Sequence, residues 1–466
     1  MTRVAVYQGT FDPPTNYHRW VVEELLRERA DGPNFDRVVV SLCGPNPTRG
    51  TVPDSRSIHR ATMADLNFAG LPRVTVDLDD LEAHRFCPPG EVADKFRGAD
   101  VWHVVSAAWV RDGGDGRSKV HGWSDGPRMW ETEGFVVLHE PGEPVAAADL
   151  PPRHLLVRTP IHMPGNAVRQ MLNVGEAVDQ WVFPAVLAYI RRHDLYRDVP
   201  PTEAARLSGL VGRPPRLRVI ADEYNPTALG HADALRGYTS DDPEVIVGIG
   251  GDGTMLRAIR RHWRDRRPFF GINTGGLGFL LNGRQVEPFW ERELLVYQLP
   301  LLRVDATFMD GTTADGVAFN DTWVERATGQ TAWVKVTVNG EVRVPQLIGD
   351  GVLVATAAGS SSYARAMGAT PVPLNTGVLI LVGSNVLKPA FWRPVILPLD
   401  AEIVLETVDP VRRPLLGYLD GEPYRQPLRR LAVRVSRTAA AELAFLPEHD
   451  PVRKLGFLQF PPEVRG

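Results

Sequence analysis

Two α/β units in series, the second closing on an antiparallel β part, are what three features of the sequence predict. Short Val-rich runs alternate with helical patterns through the N-terminal part. A Pro-rich stretch then interrupts the chain, and the α/β pattern restarts behind it. From about Leu302 the texture changes to Val- and Thr-rich runs separated by Gly. Taken in order, residues 3–7 and 36–42 read as buried strands. Residues 17–29 between them carry Trp20, Val21, Val22, Leu25 and Leu26 at helical spacing. Residues 113–126, rich in Gly, Asp and Ser, read as a loop, and a helical pattern runs from 167 to 193. Pro200-Pro201 and Pro214-Pro215 mark 199–215 as a linker, so the predicted domains are 1–198 and 216–466. Behind the linker, 217–221 and 245–248 are strands, 255–261 is a helix and 268–272 a further strand. The α/β part runs over about 216–300 and the β-rich part over about 301–440, with strand-like runs at 333–338, 351–356 and 378–382. A C-terminal tail then returns.

The composition narrows the function classes. With 466 residues, 43% hydrophobic and 23% charged, the chain holds more than one real core. The 52 basic and 56 acidic residues leave a net charge of −4, so no global basic field points to nucleic acid. Two cysteines, Cys43 and Cys87, make neither a disulfide framework nor a Cys-rich zinc site. The N-terminus shows no charged-then-apolar signal pattern, and no apolar run reaches the roughly 18–20 residues of a membrane span. These features predict a soluble, cytoplasmic protein without a repeat of fixed period.

Gly9-Thr-Phe-Asp-Pro-Pro-Thr-Asn-Tyr-His18 lies between the first strand and the first helix, at the carboxyl edge of a parallel sheet where ligands bind. Gly9 lets backbone approach a phosphate, and Pro13 and Pro14 stiffen the turn. Thr15 or Asn16 caps a helix whose N-terminal N–H groups favour an anion. His18 is placed to donate to a phosphoryl oxygen. A Pro-rich turn with a cap and a partly exposed His is the plain alternative, and spacing alone does not separate the two. This stretch resembles the signature of the nucleotidylyltransferase superfamily, with Thr15-Asn-Tyr-His18 most similar to nicotinamide or nicotinate mononucleotide adenylyltransferases. His59-Arg60 and the pattern over 185–196 extend the likeness. The resemblance implies a Rossmann-like domain in which a mononucleotide phosphate attacks the α-phosphorus of ATP, with Mg²⁺. Gly9, Thr10, Phe11, Thr15, His18 and Arg169 would bind the nucleotide, and His18 would be catalytic. The sequence departs from the family pattern at Tyr17, where many members have Gly. It departs again at Pro164-Gly-Asn-Ala-Val-Arg169 and at Ser106-Ala107-Ala108, where hydrogen-bonding side chains are missing.

The second motif is 245–254, an apolar strand running into Gly250-Gly-Asp-Gly-Thr254 and a helix. Gly248, Gly250 and Gly253 satisfy G-x-G-x-x-G, but the next strand ends in Asn273-Thr-Gly-Gly, without the acidic residue a dinucleotide fold places on the ribose. The Gly-Lys-Ser/Thr ending of the P-loop is also missing. What remains is a glycine loop able to wrap phosphates and one carboxylate, Asp252, suited to act as base on a hydroxyl or to help hold Mg²⁺. The run resembles that of NAD kinases. Gly271-Ile-Asn through Leu277-Gly-Phe-Leu280, Phe319-Asn-Asp-Thr322, Gly349-Asp350-Gly351 and Gly359-Ser-Ser-Ser-Tyr363 follow in the family's order. The resemblance implies an NAD-kinase fold from about Leu217 onward and a homo-oligomer. Asp252 would be the catalytic carboxylate. Gly250, Gly251, Gly253, Thr254, Arg257, Asn320, Asp321, Asp350, Ser361, Tyr363 and Ala366 would contact NAD or ATP. Arg257 reads equally as a solvated helix residue.

Other features read as structural. Trp102, Trp109, Trp123 and Trp130 read as packing residues. His139, His154 and His162 have no metal-ligand spacing, and no metal site is predicted. Arg257, Arg260, Arg261, Arg264, Arg266 and Arg267 read as a solvated helix face, with attraction of nucleotide phosphates as the alternative. The expected function is bifunctional. The first domain joins a mononucleotide to AMP from ATP, and the second uses ATP to phosphorylate the resulting NAD at its 2′-hydroxyl. The alternatives are a kinase carrying a degenerate regulatory first domain, or a pair acting on a modified dinucleotide.

Overall fold

The computed structural model of the chain describes residues 1–45, 56–197, 205–206, 213–276, 278–284 and 288–459. The chain separates into two compact units, Met1–Pro201 and Thr202–Gly466. Of the predicted linker, 199–204 and 207–212 lie outside the described residues, as does Leu277 of the second motif. Ala205–Arg206 are not linker: they pair with Val296 and Leu295 as a short edge strand of the second unit.

The first unit is a six-stranded parallel sheet. Its strands are β1 Arg3–Gly9, β2 Arg37–Leu42, β3 Val74–Asp77, β4 Asp100–Ser106, β5 Gly134–His139 and β6 His154–Arg158. Their order is β3-β2-β1-β4-β5-β6. The helices α1 Asn16–Leu26 and α2 Ser57–Phe68 follow β1 and β2. The inner strands of this sheet carry continuous buried runs, which is why they read as Val-rich stretches, while the edge strands β3 and β6 are much less buried. Ala5, Val38, Val40 and Val104 pack into one cluster, while Val4, Val6 and Val39 pack into another. The predicted helix over 167–193 is instead two helices, Gly165–Asn173 and Pro184–Arg192. Gly175, at φ +78°, ends the first, and Pro184 opens the second, where its missing N–H costs nothing. Trp102 and Trp130 are buried, and Trp109 and Trp123 pack against the cluster that holds Trp130.

The second unit begins with three parallel strands, Leu217–Ala221, Val245–Gly250 and Phe269–Asn273. Two long strands, Leu295–Phe308 and Leu428–Phe445, run antiparallel along each other and join the α/β part to the β part. Phe269 and Phe270 pair with Leu443 and Ala444, so the last long strand completes the parallel portion. Its first half pairs with Ile403–Thr407 in the β part. The β part is antiparallel throughout: Asp321–Arg326 lies between Gly351–Thr356 and Leu415–Leu419, and Ala332–Val338 lies between Glu341–Gly349 and Ile403–Thr407. The basic run is not a uniform solvated face. Arg266 is 5% exposed, its guanidinium donates to the Thr438 carbonyl and it lies over the Trp263 ring. Among the described residues no helix is long and apolar enough to cross a membrane.

Candidate functional site

In the first unit the strand order turns outward in both directions from β1 and β4. That reversal leaves a crevice at the carboxyl ends of these two strands, where open parallel sheets bind ligands. Both the Gly9–His18 loop, which leaves β1, and Ser106-Ala107-Ala108, which leaves β4, lie at this edge. Thr15 caps α1, and its backbone N–H donates to His18 Nδ1 at 2.9 Å. Nδ1 is therefore an acceptor, so the neutral ring carries its proton on Nε2. Burial, with His162 nearby, pushes the His18 pKa down to about 3. The imidazole is neutral at physiological pH, a donor without a charge to lose.

The loop is held from three sides. Arg60, 1% exposed, donates through Nε and Nη2 to the Thr10 carbonyl at 2.9 and 2.8 Å, and to the Cys43 carbonyl at 2.6 Å. Arg169 Nη1 donates to the Asp12 carbonyl at 2.5 Å, and the Tyr196 hydroxyl to the Asp12 carboxylate at 2.5 Å. The Phe11 ring is buried against Tyr7, His18 and Phe68, and a Cβ on Gly9 would stand 3.0 Å from it. Gly9 thus makes room for Phe11, and Phe11 turns its ring into the core. His162, set aside on sequence spacing, has its ring centroid 4.3 Å from Tyr17 and 5.7 Å from His18. Its buried Nε2 has no hydrogen-bond partner among the described residues.

In the second unit, Asp252 is the first residue of the helix Asp252–His262, at the positive end of its dipole. Its two carboxylate oxygens accept the backbone N–H groups of Phe279 and Leu280, each at 3.0 Å. Gly251 and Gly253 border open space, whereas Gly250 packs under Thr254, whose hydroxyl accepts from Arg257 at 3.2 Å. Arg257 is thus partnered within its own helix turn. Met255, Leu280, Phe319 and Ala358 share one buried cluster, which brings the Asp252 loop and the segments around 319 and 358 together.

Asn320 and Asp321 are buried at 7% and 3% exposure. The backbone N–H groups of Phe319, Asn320 and Asp321 all donate to the Asp420 carboxylate, at 2.7 to 3.1 Å. Burial and the Asp420 charge push the Asp321 carboxyl up to about 7. Thr356 and Gly359 close the turn from the other side. The Thr356 backbone N–H donates to the Asn320 carbonyl at 2.9 Å, and a Cβ on Gly359 would stand 2.3 Å from that same oxygen. Asn320 Oδ1 is buried without a hydrogen-bond partner among the described residues, an acceptor left over.

Asp350 and Tyr363 line a cavity of about 330 Å³ together with Trp323, Glu325, Arg326 and Asn385. Asp350 is held there by Arg326 at 2.7 Å and Asn385 at 2.6 Å. Trp323 stacks on Tyr418 at 4.6 Å, and Tyr363 meets its edge at 5.2 Å. Ser361 ends the short turn Ala358–Ser361, and Ala366 ends the helical turn after Tyr363. Sequence reasoning missed Asp420 and Lys454, whose partners lie about 100 and 175 positions away. An Asp-Gly turn and a Lys in a C-terminal helix carry no local signal of such contacts.

A family model described as the ATP-NAD kinase N-terminal domain matches residues 227–287, within the second unit. The chain is 34% identical to the NAD kinase of Hyphomonas neptunium over 219 residues, 47% of this chain and 86% of that protein. It is 31% identical to the NAD kinase of Xylella fastidiosa over 251 residues, 53% of this chain and 96% of that protein. A crystal structure of yeast NADH kinase complexed with NADH covers 53% of this chain and 89% of its own, at TM-score 0.45 and 16% identity, too loose a likeness to bear on the site. Identity above 30% across most of two relatives' lengths, with Asp252 inside the matched segment, leads to one assignment: the chain belongs to the NAD kinase family.

Proposed function

We propose that the second unit phosphorylates NAD at its 2′-hydroxyl with ATP, and that the first unit makes the dinucleotide by adenylyl transfer from ATP to nicotinamide or nicotinate mononucleotide. The observation that carries the kinase reading is the fixed Asp252 carboxylate beside an open glycine loop. Each of its oxygens uses one lone pair on a loop amide and keeps another for a hydroxyl. The ribose hydroxyl passes its proton to Asp252 as its oxygen bonds to the γ-phosphorus and the bond to ADP breaks. Asn320 Oδ1 offers a buried acceptor to the dinucleotide. Gly250, Gly251, Gly253, Thr254, Arg257, Asp321, Asp350, Ser361, Tyr363 and Ala366 complete the proposed nucleotide contacts. Mg²⁺ supplies charge neutralisation on the triphosphate. Among the described residues no three His, Cys, Asp or Glu side chains gather into a protein-held metal site. No step is therefore routed through it. The homo-oligomer is proposed too, and sedimentation of the full chain decides it.

What supports adenylyl transfer in the first unit is the β1/β4 crevice with the His18 loop at its edge. A mononucleotide phosphate oxygen would bond to the α-phosphorus of ATP as pyrophosphate leaves, with His18 Nε2–H donating to a phosphoryl oxygen. Gly9, Thr10, Phe11, Thr15 and Arg169 would frame the nucleotide. A second reading, a binding module without catalysis, is favoured by Arg169 resting on the Asp12 carbonyl and by Ser106-Ala107-Ala108, which brings a single hydroxyl. Calorimetry with ATP on wild-type and Asp252→Asn full chains, paired with NADP formation from NAD, tests both units. The proposal expects about a thousandfold less NADP from the variant, with ATP binding to the first unit retained. NADP formation at the wild-type rate by Asp252→Asn would overturn the kinase reading.

A further inference from the structure

The loop that holds Asp252 is gripped from its other side by a residue more than 170 positions downstream. Lys454, on the helix Pro451–Gln459, donates from Nζ to the Gly278 carbonyl at 3.0 Å and also to the Leu281 carbonyl. Its ammonium lies 5.9 Å from the centroid of the Phe445 ring. The amides of Phe279 and Leu280 between those carbonyls are the two that donate to Asp252. One peptide group, Gly278–Phe279, therefore bonds a cation through its oxygen and a carboxylate through its N–H. Each bond polarises the amide in the sense that strengthens the other. A Cβ on Gly278 would stand 2.8 Å from Leu281 and 3.3 Å from Asp252 Oδ1, so glycine permits this approach.

Resting on the kinase reading above, we infer that Lys454 is a positioning residue for phosphoryl transfer: through 278–281 it fixes the direction of the Asp252 carboxylate. A helix anchored only for stability needs an apolar side chain there, whereas a half-buried ammonium carries a desolvation cost. That cost shows in the titration. Burial brings Lys454 down to about 8, against the pull of Asp252 and Asp450. The other titratable group facing it is His449, held below its ordinary value by burial and by Lys454 itself. The clamp is charged at neutral pH and loses its charge as pH rises through about 8.

The test uses full-length wild type, Lys454→Met and Lys454→Arg. It reads NADP formation from NAD between pH 6.5 and 9.5, together with amide exchange at Phe279 and Leu280. Lys454→Met is expected to lower kcat about 10- to 100-fold with KM for NAD within twofold, because an interaction serving the transition state is lost. Exchange at the two amides should quicken at least about tenfold, in the range of a lost charged hydrogen bond. Lys454→Arg, a cation at every pH tested, should keep activity at pH 9.5 where wild type declines. Wild-type kcat and unchanged exchange in Lys454→Met would overturn the inference, as would an alkaline decline in Lys454→Arg matching wild type. A wild-type chain that makes no NADP at any pH refutes the kinase reading instead, and the exchange comparison still decides whether Lys454 holds the loop.

Discussion

The two units place a polar group at the same architectural position, the start of a helix leaving a parallel strand, and hold it by opposite means. His18 is fixed from three residues away, by the backbone N–H of its own helix cap. Asp252 is fixed from 27 and 28 residues away, by amides of a loop that Lys454 grips from the far end of the chain. One site is set by local chain geometry, the other by tertiary contacts. His18 is kept neutral by burial, and burial likewise raises the Asp321 and Asp420 carboxyls of the second unit, with the Asp420 charge adding to the rise at Asp321. The difference teaches that a motif can specify a reactive side chain without specifying what aims it.

The largest expected effect breaks the second site alone. Asp252→Asn should lower NADP formation from NAD by about a thousandfold, near the upper range for a lost general base. It should also lower the thermal midpoint of the second unit, because the amide NH2 replaces an acceptor of one of the two loop N–H groups. His18→Ala should lower NAD formation from mononucleotide and ATP about 100- to 1,000-fold, as for a lost donor to developing charge. It should leave the NAD-to-NADP step at its wild-type rate. Because the neutral ring is the working form, the first reaction should show no His18 limb between pH 5 and 8.

Stability effects come next and sharpen the contrast. Gly359→Ala forces a methyl within 2.3 Å of the Asn320 carbonyl and should destabilise the second unit by about 1–3 kcal/mol, read in chemical denaturation. Asp321→Asn is the smallest and changes with pH. The Asp321 carboxyl titrates at about 7 when folded, above its ordinary 3.8. Its contribution is full below that ordinary value and is lost as pH rises through about 7. The neutral amide should therefore stabilise the second unit at pH 8.5 by about 1 kcal/mol, read in chemical denaturation, with the gain shrinking by pH 5.5. His18 runs the other way. Its folded value lies below the ordinary 6.5, so the first unit loses stability as pH falls from 6.5 toward 3.

What the sequence made legible follows from range. Strands buried on both faces, Gly-Gly-Asp-Gly-Thr, and the order of segments from Gly250 to Tyr363 are visible because each is a local pattern. The break at Gly175 was missed because the apolar residues on either side of it keep a helical spacing through the turn. Arg266 reads as solvated from sequence because a basic run looks alike whether or not one member turns inward, here at a left-handed φ of 56°. His162 carries no signal in the sequence because its partners, Tyr17 and His18, lie on another element. Asp420 and Lys454 act through backbone amides and carbonyls, which every residue has, so nothing in the sequence marks the receiving end.

The most direct test of two working sites on one chain is to give the purified protein Mg-ATP with nicotinamide mononucleotide, and NAD alone in parallel, and to follow NAD and NADP by chromatography. The account predicts NADP from both inputs, with His18→Ala slowing only the route from mononucleotide and Asp252→Asn slowing NADP formation from both, each by the factor given above. NADP from NAD but never from mononucleotide would contradict the first unit's activity, and no NADP from NAD would contradict the account at its centre.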